Sequence, residues 1–211
     1  MTRSLPGRFI TLEGGEGVGK STQLDRLAAA LRERGHKVVE TREPGGSAGA
    51  EAIRRLLLEG EQERWSAPAE ALLFAAARAD HVARTIRPAL AEGQWVLCDR
   101  FLDSSLAYQG GAGGVGAEAI RQLHAIGSGG LLPDRTLLLR LPAEAAAARA
   151  RRRDGDGADR IGARDAAYHG AVAAAFAALA ADEPGRFRTI DADGPPEQVT
   201  GKLLHALEDL L

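Results

Sequence analysis

Cysteine is nearly absent: Cys98 is the only one in 211 residues. One thiol excludes an intramolecular disulfide framework and any cysteine-based zinc site. Lysine is almost as scarce, with Lys20, Lys37 and Lys202 alone against 24 arginines. A lysine that persists at a special position therefore stands out. Aromatic residues make up 4% of the chain. Neither sign of charge dominates: 27 basic residues face 29 acidic ones, a net −2. Bulk charge thus gives no reason to expect nucleic acid or an anionic membrane as a partner. Long apolar runs are missing too. The best stretch, Ala171 to Ala181, is short and mostly alanine, against the roughly 20 residues a membrane helix needs. Met1 to Arg8 carries basic residues but no apolar segment of the kind a secretion signal has, so the expected location is the cytoplasm. The five histidines are scattered without ligand spacing.

What is present alternates. Short apolar runs at Phe9–Leu12, Val38–Val39, Trp95–Cys98, Thr136–Leu139 and Phe187–Ile190 read as five strands. Between them lie helical stretches at about Lys20–Arg34, Ser47–Leu58, Ala69–Ala91 (bent near Pro88), Ala117–Ile126, Ala143–Arg153, Ala163–Ala181 and Pro196–Leu211. Gly110–Gly116 reads as a loop and Asp154–Gly157 as a mobile tip. Continuously apolar strands separated by helices imply a parallel sheet covered on both faces, with right-handed crossovers. A chain of this length builds a core without covalent staples, and no linker or repeat divides it. The expectation is one α/β domain spanning 1–211.

The most specific string is Gly14-Gly15-Glu16-Gly17-Val18-Gly19-Lys20-Ser21, which fits the phosphate-loop pattern G-x-x-x-x-G-K-[ST]. It follows an apolar strand and opens a helix, as its mechanism requires. Glycines let successive N–H groups face a phosphate chain, and the helix N-terminus adds a positive dipole end. Lys20 can reach the outer phosphates and Ser21 can ligate Mg²⁺. Thr22 continues the helix opening. No Asn-Lys-x-Asp string is present to read guanine, position 15 is not the second lysine of partition-type ATPases, and the third strand ends in Asp99-Arg100 rather than Asp-Glu. A carboxylate for a metal beside a fork for an anion suits a kinase of small phosphorylated acceptors.

From Phe9 to about Leu207 the chain resembles the thymidylate kinases, and more closely the bacterial type. The resemblance rests on Glu13–Thr22, Thr41-Arg42-Glu43-Pro44-Gly45-Gly46, Leu73-Phe74 with Arg78, Asp99-Arg100-Phe101 with Ser104-Ser105, Ala107–Gly111, and Asp159-Arg160-Ile161, in that order. It implies a P-loop kinase fold and transfer of the ATP γ-phosphoryl group to dTMP, giving dTDP and ADP, with Mg²⁺. Phe74 and Arg78, four apart on a helix, share one face. By resemblance Phe74 stacks on thymine and Arg78 donates to its edge. Arg100 holds the acceptor phosphate, with Arg42 as a second positive group and Pro44 beside it. Asp99 holds Mg²⁺ directly or through water. Glu16 and Tyr108 face the acceptor sugar, and Ser104, Ser105 and Gln109 contact pyrimidine or sugar. Arg149, Arg151, Arg152, Arg153 and Arg160 flank a lid at about 149–160. The loop holds Gly17 where other members carry arginine, so the transferring phosphoryl group is expected to draw arginine from the lid, Arg153 first and Arg151 second. A homodimer is expected by the same resemblance. Two other readings are a kinase for a different nucleotide, dUMP above all, and a nucleotide-binding switch with little turnover.

Overall fold

The computed structural model describes residues 7–61, 63–154 and 159–211, with the side chains of Arg153 and Asp154 left out of that description. Five strands form one fully parallel sheet: β1 (Arg8–Glu13), β2 (Val38–Arg42), β3 (Trp95–Asp99), β4 (Arg135–Arg140) and β5 (Phe187–Asp191). Their order is β2-β3-β1-β4-β5. β1 therefore lies in the centre, paired with β3 on one side and β4 on the other.

Alternation along each strand divides the core in two. Phe9, Val96, Cys98 and Leu138 face one layer, which continues through Phe101, Phe176 and Ile86. Ile10, Leu12, Leu97, Leu137 and Leu139 face the other, with Leu24, Leu27, Leu31 and Leu203. Both faces are covered, which is why the inner strands β3, β1 and β4 read as mainly apolar runs, while the edge strands β2 and β5 carry polar residues as well. Each large apolar side chain taken fully out of water contributes about 1.5–3 kcal/mol.

The helices are α1 (Lys20–Glu33), α2 (Ala48–Leu58), α3 (Ala67–His81), α4 (Arg87–Ala91), α5 (Leu102–Ser105), α6 (Ala117–Ser128), α7 (Ala143–Asp154), α8 (Ala166–Asp182) and α9 (Pro196–His205). Helix α1 stops as its sequence indicates: Gly35 takes φ +89°, and the Gly35 and His36 amides return to Arg32 and Leu31 carbonyls, a Schellman ending. Ser47 and Ser66 cap α2 and α3.

Several boundaries differ from expectation. The single helix expected over 69–91 is broken by a π turn at Val82–Ile86, which runs up to α4, where Pro88 lacks the N–H that would continue the α ladder. Residues 106–112 are also a π turn continuing α5, so the expected loop at Gly110–Gly116 shrinks to 113–116. Here the glycines pack closely: a Cβ at position 111 would lie 3.1 Å from the Ala175 Cβ of α8. Helix α8 begins at Ala166 because the Asp165 carboxylate accepts the Tyr168 N–H. The final helix ends at His205 instead of Leu211; beyond it the chain turns so that Leu207 is buried and Asp209 reaches Arg135. The expected tip at 154–157 falls outside the described residues apart from the backbone of Asp154. Among the described residues, no helix is long and apolar enough to cross a membrane.

Candidate active site

The carboxyl ends of β1, β2 and β3 open into a cleft of about 590 Å³, the place where ligands sit in open parallel sheets. On one wall the phosphate loop joins β1 to α1. Lys20 is buried and its Nζ donates to the Gly15 and Gly14 carbonyls at 2.7 and 3.2 Å. Burial, and next the Arg100 charge, pulls its ammonium down to about 8. Gly14, Gly15, Val18 and Gly19 shape the turn, and Gly17, Gly19 and Thr22 line the cleft. Gly17 sits at φ +72°, and a Cβ there would fall 2.1 Å from the Ala146 carbonyl of α7. The loop and the first turn of the lid helix are thus in backbone contact.

At the floor, the Ser21 hydroxyl donates to Asp99 Oδ2 at 3.0 Å. The other Asp99 oxygen, Oδ1, is buried and lacks a hydrogen-bond partner. A hydroxyl beside a carboxylate with one unsatisfied oxygen fits a hard divalent cation completed by water and phosphate oxygens. Among the described residues no cluster of three or more His, Cys, Asp or Glu could hold a metal alone, so the nucleotide would have to supply much of the coordination.

Arg100 crosses the middle. Its φ is +68°, the one positive value outside glycine among the described residues, a backbone arrangement that costs of order 1–3 kcal/mol. Its guanidinium donates to Gly14 O at 3.0 Å and Ser104 Oγ at 3.2 Å, pairs with Glu16, and lies 5.0 Å from the Tyr108 ring centre. The Tyr108 hydroxyl donates to the same Glu16 oxygen at 3.3 Å. Burial raises the Tyr108 pKa, so it remains a neutral donor.

The far wall comes from α3 and the segment after β3. Phe74 is half-buried on the lining, with Arg78 one turn on. Arg78 Nε donates to Glu43 at 2.7 Å, and Nη2 donates to Ser105 Oγ at 2.8 Å and Phe101 O at 3.1 Å. Those bonds leave Nη1 for the cleft. Gln109 Nε2 donates to Glu70 at 3.0 Å. Arg42 and Pro44 line the mouth, Arg42 paired with Glu51 at 3.1 Å.

The lid arginines separate. Arg149 lines the cleft, and Arg151 and Arg152 are exposed on α7. The Arg153 side chain lies outside the described ones. Arg160 is buried instead: its Nη2 pairs with Glu70 at 2.6 Å and its Nε donates to Leu57 O. These contacts anchor it in the interior, beyond the stretch expected to form a lid.

Arg54 and His81 were not singled out in the sequence, and Glu13 and Glu43, though inside its motif strings, were given no role. Arg54 lines the cleft, donating to Pro44 O at 2.7 Å. Helix phase could have found it, since Arg54 lies four after Ala50 and three before Leu57, both buried. Glu43 and His81 form a buried pair at 3.0 Å behind Arg78, with His81 also 2.7 Å from Thr41 Oγ1. Glu13 is fully buried at the end of β1, and burial followed by the Asp103 carboxylate pushes it up to about 8. A carboxylate ending a buried apolar strand was the available signal.

Against known proteins, the family model described as Thymidylate kinase matches residues 12–203. A thymidylate kinase of Rhizorhabdus wittichii is 69% identical over 98% of this chain and 100% of its own length. One from Bradyrhizobium sp. is 49% identical over 97% of this chain and 91% of its own. The crystal structure of a thymidylate kinase from Ehrlichia chaffeensis superposes with a TM-score of 0.77 at 30% identity, covering 96% of this chain and 99% of that one.

Proposed function

The chain belongs to the thymidylate kinase family, whose reaction is phosphorylation of dTMP to dTDP by ATP, and from that premise we propose how its residues divide the work. The carrying observation is the single cleft that holds the phosphate loop, the Ser21–Asp99 pair, Arg100 and the Phe74/Arg78 wall together. Lys20 and the loop N–H groups hold the ATP phosphates. Ser21 and Asp99 hold Mg²⁺, which when bound offsets charge on the phosphate oxygens. Arg100, Arg42 and Arg54 hold the acceptor phosphate.

The nucleophile is an oxygen of that phosphate, a dianion near neutral pH because its second pKa is about 6. It attacks the γ-phosphorus, the bond to the β-phosphate oxygen breaks, and ADP leaves. No general base or protein nucleophile is required, and the protein's part is alignment and charge. Arginine from the lid, Arg153 first and Arg151 second, steadies the transferring group, with Arg149 alongside ATP.

On the acceptor side, Phe74 stacks on the pyrimidine. Glu70 also accepts from Arg160 and Arg164, so it acts as an acceptor only, which fixes the Gln109 amide with its oxygen left for the cleft. An oxygen there takes the N3–H of thymine, and Arg78 Nη1 donates to O4. Cytosine presents the opposite pattern at both atoms. Uracil differs by one methyl group, worth about 1–3 kcal/mol of discrimination. Tyr108 and Glu16 face the sugar, the ring excluding a 2′-hydroxyl, with Ser104 and Ser105 beside them. The chain acts as one kinase domain and as a homodimer; exposed Leu72 on α3 and Ile126 on α6 supply the apolar face, and sedimentation tests it.

The deciding assay is ADP release with Mg-ATP and, separately, dTMP, dUMP, dCMP, dGMP, AMP and thymidine. Preference for dTMP with dCMP rejected supports these roles. Equal use of dCMP overturns the Gln109 and Arg78 assignments, and turnover without any acceptor overturns the acceptor wall as a whole.

A further inference from the structure

Glu13 is the last residue of β1, fully buried, and it does not line the cleft. Among the described residues, its side-chain hydrogen bonds all run to the segment after β3. Oε1 accepts the Phe101 N–H at 2.8 Å and the Ser104 N–H at 3.3 Å. Oε2 accepts the Ser104 hydroxyl at 2.6 Å. Above its pKa of about 8 the carboxylate is ionised and only accepts, so there the Ser104 proton points at Glu13. The Ser104 oxygen then turns a lone pair to Arg100 Nη1, 3.2 Å away. The backbone is pinned at the same place: the Arg100 N–H donates to Leu12 O at 3.0 Å, immediately before Glu13. The left-handed Arg100 is thereby held on both sides, by Leu12 at its own amide and by Glu13 at the next.

We propose that Glu13 is a positioning residue of the phosphoryl transfer, orienting the Arg100 guanidinium toward the acceptor phosphate through the Ser104 hydroxyl. The inference rests on the assignment of Arg100 to that phosphate. Glu13 touches neither substrate. Its effect is the direction of one hydroxyl proton. An amide at this position would place an N–H where Oε2 stands, and that N–H would donate to Ser104 Oγ. The Ser104 hydroxyl would then have to turn its own proton away from Glu13, toward the Arg100 side, and the Arg100 fork would keep Gly14 O and Glu16 but lose the third of its anchors. A positioning error of about 1 Å in an acceptor group can cost on the order of a hundredfold in rate.

The test uses the full chain with E13Q, S104A, their double variant and R100K at pH 9, where Glu13 is ionised, measuring kcat, the KM for dTMP, the KM for ATP and the melting temperature against the wild type at the same pH. E13Q is expected to raise the dTMP KM about tenfold or more and leave the ATP KM within about twofold, given that each tenfold corresponds to 1.4 kcal/mol. E13Q placed on top of S104A is expected to change the dTMP KM no further, since the relay is already cut. A lower melting temperature with unchanged dTMP KM means that Glu13 only braces the fold, and it overturns the proposal. Independent effects of E13Q and S104A that multiply overturn the relay. R100K separates the two layers: if it leaves the dTMP KM unchanged, the Arg100 assignment fails and this inference with it; if it raises that KM while E13Q does not, only the inference fails. Should E13Q not accumulate as folded protein, E13D retains the charge but withdraws it by one carbon, and the same rise in dTMP KM is expected of it.

Discussion

Lys20 is buried, and its ammonium titrates near 8, against an ordinary value of 10.5, chiefly because burial strips its water and next because Arg100 stands nearby. The sign of the consequence follows from linkage. Below pH 8 the group is protonated in both folded and unfolded chains, and the full penalty opposes folding. A shift from 10.5 to about 8 corresponds to about 3 kcal/mol. Between pH 8 and 10.5 the folded protein releases its proton first, and the penalty fades; above that range it is gone. Lys20→Met keeps much of the side-chain shape and removes the charge. It also forfeits the bonds to Gly14 and Gly15, worth about 1 kcal/mol each. The expected net gain at pH 7 is about 1 kcal/mol, which for a chain of this size raises the melting temperature by about 2–4 °C. ADP release should meanwhile fall at least about a hundredfold, the scale of losing one aimed charge. Calorimetry of both proteins without nucleotide, from pH 6.5 to 10, is the assay. The reasoning is refuted if the variant melts lower at pH 7, or if the difference does not move toward the wild type as pH climbs from 8 to 10.

Three further outcomes are expected. Glu43→Ala strands Arg78 and His81 in a buried site and should cost about 3–5 kcal/mol of stability by denaturant titration, with a higher dTMP KM in whatever protein folds. Gly17→Ala forces α7 away from the phosphate loop, because a Cβ there meets the Ala146 carbonyl at 2.1 Å; kcat should drop by about tenfold or more, and a wild-type kcat would show that this contact is absent during turnover. Tyr108→Ala opens the space expected to exclude a 2′-hydroxyl, so the preference for dUMP over UMP should shrink about tenfold in kcat/KM.

Much of this was legible in the residues. The inner strands β3, β1 and β4 could be read because both of their faces are buried and they are mainly apolar, while the edge strands β2 and β5 show only short apolar stretches among polar residues. The phosphate loop was legible because one lysine in a lysine-poor chain follows a glycine cluster. The segment 106–112 was not, since Gly111 packs closely against Ala175, and composition alone cannot separate that from a turn. The end of the last helix was set by Asp209 reaching Arg135, a pairing of residues 74 apart. The site was read more fully on its surface than beneath it. Arg78, Arg100 and Gln109 could be given roles from their motifs; Glu13 and Glu43 lie in the motif strings and Glu70 does not, and none of the three could be given a partner, because which carboxylate sits behind which cation is decided by packing. Arg160 shows the same limit, since its place in an arginine-rich stretch suggested motion while Glu70 fixes it in the interior.

Among the described residues six cations line the cleft, and each already has an acceptor within the protein. Lys20 has two carbonyls, Arg42 has Glu51, Arg54 has Pro44 O, Arg78 has Glu43, Arg100 has Glu16, and Arg149 has Ala192 O at 3.4 Å. The cleft therefore supplies an acceptor for each of these groups, a carboxylate for Arg42, Arg78 and Arg100 and carbonyl oxygens for the rest. A bare sulfate or inorganic phosphate must win these groups away one or two at a time and brings nothing else to offset the exchange. A nucleotide displaces several at once while its base and sugar add contacts of their own. Buffers rich in such anions should accordingly act on this enzyme as ordinary ionic strength, and weakly as occupants of its site.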